Sequence, residues 1–422
     1  MRPRLAAAAL TFALAGAICA PASAYGLPSV PPHLETPPLF DDEAGGNANG
    51  DDPAVWVPPA GQGKAVVIAT AKDAGLFVYD LAGRELQHVP ASPAPGPDHE
   101  RGRFNNVDVA YGFGGRDLAL VSDRGGDRLR IYAITRGRLT DVTDPAAPFI
   151  FNSTQEEVDE AATAYGLAAW KDATGTYALV SRRHRTSLGL VRLEPRPGGT
   201  VGYRLVRTLD LPASFTLPDG SAWAPCLEPG EAPQVEGMVV DQQADVLYAG
   251  QEDVGIWRVR ADLTGAPVLV DRVREYGVPA TYDPETEECA PGADPGYGGG
   301  HLSTDVEGLT IYYRRGGQGY LLASSQGDDT FAVYRREGSN AYVGGFRVGP
   351  RPGVDGAEIS DGAAVVNVPL DGFPNGLFVT HDGVNTPAVP DRENTDFKYV
   401  RWDGIAAALG LAVDARGFDP RG

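Results

Sequence analysis

Acids and amides recur at six places along this 422-residue chain, each time at the head of an apolar run. The phrases are DDPAVWV (51–57), NNVDVAYGF (105–113), AYGLAAW (164–170), VEGMVVD (235–241), VEGLTIYY (306–313) and DGAAVVNV (361–368). They carry Asp52, Asn106, Asp108, Tyr165, Glu236, Glu307 and Asp361, with Asp305 just ahead of the fifth. Downstream of them stand Lys72-Asp73, Asp123-Arg124, Arg183, Gln251-Glu252-Asp253, and Gln326 with Asp328 and Asp329. Oxygen-rich side chains of this kind suit hard divalent cations, and calcium accepts about six to eight of them in flexible geometry. His33, His88, His99, His184, His301 and His381 are scattered without paired spacing, which argues against zinc or copper. Calcium is the natural reading. An Asp or Asn at a strand start also serves as a turn former, so Asp52 or Asp108 alone is weak evidence. Glu236 and Glu307 are stronger, because glutamate gains little from turn chemistry and both precede a glycine at one repeat position. The run Asp355-Gly356 through Asp361-Gly362 is another ligand-like loop, although it lacks an EF-hand pattern.

Each phrase opens a strand that is followed by a second strand, a polar turn and a third strand, as in LALVSDRGGDRLRIYAI (118–134). A strand-built repeat of this length predicts an all-β fold: a six-bladed β-propeller of four- to five-stranded antiparallel sheets. Antiparallel neighbours reverse direction, so the start of a first strand lies beside the end of the second. Glu236 then sits beside Gln251-Glu252-Asp253, and Asp305 and Glu307 sit beside Gln326. Asp51 and Asp52 sit beside Lys72 and Asp73, and Asn106 and Asp108 beside Asp123 and Arg124. Ring closure aims all six clusters at one mouth, with Lys72, Arg124 and Arg183 forming a cationic half. That half suits an anion, since arginine grips phosphate oxygens in a planar fork. The proline-rich segment Ser29–Phe40 is expected along the outside, closing blade six or one, and Asp403–Ala415 is expected to be helical.

Residues 1–24 read as a secretory signal: Arg2 and Arg4, an apolar run, then Ala22-Ser23-Ala24. Residues 25–422 are expected to form a single six-bladed propeller. Loss of the leader takes the formal charge from −20 to −22. That balance argues against nucleic acid and anionic membranes as partners. The expectation is a secreted, extracellular monomer. Cys226 and Cys289 lie in two long insertions (212–233 and 277–304) that precede the two VEG phrases. Adjacent blades would bring them together, and export favours oxidation, so a Cys226–Cys289 disulfide is predicted.

The phrases DDPAVW, GLFVYDLAG, NNVD, YGL, VEGM, EDVGIW, DVEGLTIYY, GYLLASSQGD and FPNGLFVTHDG resemble those of the β-propeller phytases over about 49–402. The resemblance implies calcium-dependent hydrolysis of phosphomonoesters of phytate, myo-inositol hexakisphosphate, supplied as its calcium complex. It implies several calcium ions held at the active mouth by Asp52, Tyr165, Glu236, Glu252, Asp305, Glu307, Gln326 and Asp361. Asn106, Asp108, Asp355, Gly356 and Asp382 match the family's further metal positions. Catalysis would fall to Asp52, Tyr165, Glu236, Glu252, Asp305 and Glu307, and phosphate contacts to Lys72, Arg124, Tyr165 and Arg183. Three departures weaken the cationic half: Asp73 where a second lysine is frequent, Ala110 where an arginine follows NNVD, and Arg183 in place of a lysine.

Those parts imply attack by a calcium-activated water on phosphorus. No Ser-His-Asp constellation or reactive cysteine is placed to form a phosphoenzyme. Two other readings compete: a calcium-dependent lactonase or esterase propeller, and a non-catalytic ligand-binding propeller.

Overall fold

The structure, a computed structural model, describes residues 26–60, 64–416 and 419–421. The expected leader, 1–24, lies outside them. Among the described residues, six sheets of four or five strands form the blades, with neighbours in sequence mostly neighbours in space, so the six-bladed expectation holds; two further two-stranded hairpins, Phe215–Thr216 with Ala222–Trp223 and Ala280–Asp283 with Glu288–Pro291, lie in the insertions. Blade one comprises Pro53–Trp56, Val66–Thr70, Leu76–Tyr79 and Glu85–Val89. The first strands of blades two to six are Phe104–Phe113, Ala164–Lys171, Val235–Asp241, Val306–Tyr313 and Ala363–Val366. Val306–Tyr313 and the neighbouring Gly319–Ser325 are buried along their whole length. Each blade is covered on both faces by its neighbours, which explains continuous apolar runs instead of strict alternation. The hydrophobic clusters accordingly lie between blades, for example Ile68, Leu76 and Val78 against Val107, Val121 and Ile134.

The ring is closed by the N-terminal segment. Leu34–Glu35 and Leu39–Phe40 pair with Asn394–Arg401 and complete blade six, as expected. Ser29–Val30 instead adds a fifth strand to blade five, and it runs parallel to Arg347–Val348. The sheets are therefore not purely antiparallel. Pro28, Pro31, Pro32, Pro37 and Pro38 cut this segment into two-residue strands, because proline cannot donate to a ladder. The terminal helix is also shorter than expected, spanning Trp402–Leu409. Gly410 ends it in the left-handed region, its N–H donating to Ala406 O. A second helix, Gln155–Asp159, follows a capping box between Thr154 and Glu157 that the sequence reading passed over. The predicted Cys226–Cys289 disulfide is present and joins the two insertions, with Cα atoms 6.1 Å apart.

The inner strands carry the device that positions the site. In blades two to five the register slips between Phe104 and Val107, Ala164 and Leu167, Val235 and Met238, and Val306 and Leu309. Each slip is a bulge, which re-aims a side chain. The bulged pairs are Asn105-Asn106, Tyr165-Gly166, Glu236-Gly237 and Glu307-Gly308. Their glycines let consecutive blades touch through backbone. A Cβ on Gly166 would lie 2.0 Å from Glu236 O, and one on Gly237 would lie 2.1 Å from Glu307 O. One on Gly308 would lie 2.4 Å from Ala363 N, and one on Gly362 2.4 Å from Asp52 Cα. Gly308→Ala should therefore lose roughly 1–3 kcal/mol or more in a denaturant melt. Gly300→Ala, where a Cβ meets nothing within 4 Å, should be near neutral. Equal melts for the two variants would contradict this packing.

Candidate active site

At the mouth the bulges bring Glu236, Glu252 and Glu307 together, with one carboxylate oxygen of each within 4.8 Å of the others. Glu252, at the end of blade four's second strand, also meets Asp253 and Asp305 within the same span. Glu252 thus belongs to both groups. Tyr165 Oη donates to Glu236 Oε2, and Asn105 Nδ2 donates to Glu236 Oε1 at 2.7 Å. Gln326 Nε2 donates to Asp361 Oδ1 at 2.6 Å, while Lys72 Nζ lies 3.3 Å from Asp361 Oδ2.

Burial, then the like charges of Glu236, Glu252, Asp361 and Asp305, pushes Glu307 well above the ordinary carboxylate range. Burial and then Glu236 and Asp305 do the same to Glu252. Asp305 rises to about 6 through burial and then Glu236, and Asp253 to about 7 through burial and then Asp305. Burial and then Glu236 hold the Tyr165 phenol protonated. Buried carboxylates this close cannot all ionise without a counter-cation. Glu307 Oε2 is buried without a hydrogen-bond partner among the described residues. An all-oxygen donor set with unspent acceptors fits a hard divalent cation.

Cations line the other side. Burial works against the charged form of Lys72, but Asp361, Asp51 and Glu236 outweigh it and hold its ammonium above the ordinary lysine range. Among the described residues the Arg124 guanidinium donates only to the neutral Asn105 Oδ1, at 3.5 Å, and it lies over the Tyr165 ring. Arg183 has no ion pair among the described residues. Burial and then Arg124 lower it to about 10.

The remaining expected ligands fall into two other groups. Asp52, Asn106 and Asp108 line the central channel, a cavity of about 580 Å³. There Asp52 Oδ2 accepts from Val107 N at 3.0 Å, and Asp108 Oδ2 accepts from Ala169 N at 2.8 Å. Each carboxylate thus ties its blade to the next. Asp355 and Asp382 converge with Glu35 and Asp396 on the ammonium of Lys398, a buried lysine beside the closing strand. Gly356 lies against Val348, where a Cβ would come within 2.6 Å of its carbonyl oxygen.

Sequence reasoning placed Asp51 and Asp253 at the mouth but gave neither a site role, and it missed Asn105, Arg103 and Lys398. Asp51 is buried, its Oδ2 has no hydrogen-bond partner among the described residues, and it shares the field of Lys72, Glu236 and Asp361. Asn105 and Asp253 each neighbour a chosen residue, so the signal was present but one position off. Arg103 and Lys398 offered none.

A family profile described as Phytase matches residues 3–187 and 230–421. The stretch between them includes Cys226 and part of its insertion. The curated 3-phytase of Bacillus subtilis (strain 168) is 32% identical over 395 residues, covering 90% of this chain and 86% of that protein. Among solved structures, a calcium-binding regucalcin of Agrobacterium tumefaciens matches with a TM-score of 0.45 and 12% identity, covering 93% of this chain and 98% of its own. A periplasmic gluconolactonase of Pseudomonas aeruginosa matches at 0.39 and 15%, covering 70% of each chain. At that distance neither likeness speaks to chemistry. The profile and the Bacillus relative together place this chain in the phytase family.

Proposed function

We propose that this phytase depends on calcium bound at the mouth, with Glu236, Glu252 and Glu307 holding one ion and Glu252, Asp253 and Asp305 a neighbouring one. The observation that carries the reading is a set of buried, mutually repelling carboxylates beside arginines that have no acidic hydrogen-bond or ion-pair partner among the described residues. Calcium bound there supplies Lewis acidity, lowering the pKa of a water and neutralising phosphoryl charge. Lys72, Arg124 and Arg183 grip the phosphate oxygens and stabilise charge as it develops on them. Tyr165, kept protonated, fixes the orientation of Glu236 through its hydroxyl hydrogen. Water is the nucleophile in this reading and no phosphoenzyme forms, which the disulfide supports by leaving neither described cysteine free to attack phosphorus. The substrate is phytate, delivered as its calcium complex. Unneutralised arginines favour a phosphate ester over a lactone or carboxylic ester.

The remaining assignments belong to the same proposal. Residues 1–24 direct export, and 25–422 work as a monomeric propeller outside the cell. The disulfide supports an oxidising compartment. No helix among the described residues is long and apolar enough to cross a membrane.

Phosphate release from phytate should stop on calcium chelation and return on calcium addition. Activity that persists in excess chelator would overturn the dependence. Glu236→Gln should cut kcat/KM on the order of 100-fold while the protein still folds; unchanged turnover would remove Glu236 from the site.

Stability should respond to pH in a direction set by the raised carboxylates. Between 3.8 and folded values of about 6 for Asp305 and about 7 for Asp253, the folded state holds more protons than the unfolded one. Stability therefore falls as pH rises through that window, and the full cost is present above it. His184 and His381, lowered to about 4 by burial, act in the opposite sense but are outnumbered. The chelated protein should melt higher at pH 5 than at pH 7.5, and calcium should narrow the gap. A melting point of the chelated protein that climbs with pH would contradict the carboxylate account.

A further inference from the structure

Gln234 stands where the first insertion runs into blade four, and its side chain joins two blades at the mouth. Val235 pairs with Gln251 at the end of the ladder between the first two strands of blade four. One residue beyond, Glu252 N donates to Gln234 O at 3.1 Å, which sets the two residues abreast. Gln234 Nε2 lies 3.0 Å from Glu252 Oε1 and 3.0 Å from Glu252 Oε2, so the amide straddles the carboxylate. On the other side Gln234 Oε1 accepts from His184 N, in the turn of blade three, at 2.8 Å. A backbone N–H can only donate, so the amide oxygen must face His184 and the NH2 group must face Glu252. The insertion itself is pinned to the same turn. Ala232 N donates to His184 O at 3.1 Å, and Glu231 Oε1 lies 2.6 Å from His184 Nδ1. Blade three thus fixes the amide that faces a carboxylate of blade four.

Glu252 is the carboxylate shared by both acidic groups at the mouth. Ligation on either side needs that carboxylate in one orientation, and a long side chain with several rotatable bonds loses entropy in adopting it. The Gln234 amide removes that freedom beforehand. Each Glu252 oxygen keeps a further lone pair for ligation, because a carboxylate oxygen has more than one acceptor site. We infer that Gln234 is a positioning residue for calcium at the mouth, which acts through Glu252 and sets the affinity of both groups for their ions. The inference rests on the calcium reading given above. Gln234 meets Glu252 and leaves contact with the reacting phosphate to other residues, so its signature is metal affinity.

The test measures calcium binding, by competition with a chromophoric chelator, for the unaltered protein, Gln234→Met, Glu252→Gln and the double variant. Thermal melts in calcium and in excess chelator accompany it. The ions that Glu252→Gln weakens are those of the mouth. Methionine matches glutamine in length but donates nothing, so Gln234→Met should raise their dissociation constant about tenfold. It should also narrow the rise in melting temperature that calcium produces. Added to Glu252→Gln, it should raise the constant less than about twofold further, because the residue it acts through is already altered. A full tenfold loss on top of Glu252→Gln would overturn the inference. So would a melting point lowered equally in calcium and in chelator with affinity unchanged, which would make Gln234 a scaffold residue. Should Gln234→Met not fold, Gln234→Asn decides, being one methylene too short to reach both oxygens. A loss of about threefold in that variant supports the inference and none contradicts it. If the unaltered protein binds no calcium, the calcium reading itself fails, and this inference falls with it.

Discussion

The site depends on backbone contact between successive inner strands. Gly166 against Glu236, Gly237 against Glu307 and Gly308 against Ala363 leave no space for a side chain between blades. Each contact sits inside a bulge, so the residue that carries a functional group is turned into the mouth where the next blade's group already is. Glu236, Glu252 and Glu307 then have no room to separate. The close approach that closes the ring is the same one that concentrates negative charge.

That concentration is unfavourable for the protein alone, because burial and mutual repulsion both oppose ionisation. Two kinds of counter-charge are built into the structure. Lys72 lies beside Asp361 and feels Asp51 and Glu236, which offsets part of the acidic field. At the outer junction Lys398 gathers Glu35, Asp355, Asp382 and Asp396 and ties the N-terminal strap to blade six. Among the described residues no cation pairs with Glu307, and one of its oxygens has no hydrogen-bond partner. The mouth is therefore the place where an external cation gains most. Beside it, Arg124 and Arg183 have no acidic hydrogen-bond or ion-pair partner among the described residues and call for an anion. Stability has been given up at this rim in a way that a metal and a phosphate ester together can restore.

Much of this was legible in the chain. Six repeated apolar runs, five of them headed by an acid or amide, set the blade count, and antiparallel reversal correctly set Glu236 beside Glu252. What remained hidden follows from bulges and from contacts between distant segments. Simple alternation assigns one residue of Asn105-Asn106 to the mouth, but the bulge there directs Asn105 to Glu236 while Asn106 lines the channel. Arg103 comes from the loop ahead of a first strand, whereas the cations of the reading were sought in turns between second and third strands. Lys398 pairs with Glu35 across most of the length of the chain, and no local pattern reports that contact. The helix after Trp402 was drawn too long because Gly410 was read as part of an apolar period and not as its cap.

The central claim is that bulged inner strands hold Glu236, Glu252 and Glu307 around a divalent ion. Long-wavelength anomalous diffraction from crystals grown with calcium tests it most directly. The account predicts an anomalous peak bounded by those three carboxylates, with a second one beside Asp253 and Asp305. Ordered carboxylates with no peak between them, or calcium found only at distant surface acids, would contradict it.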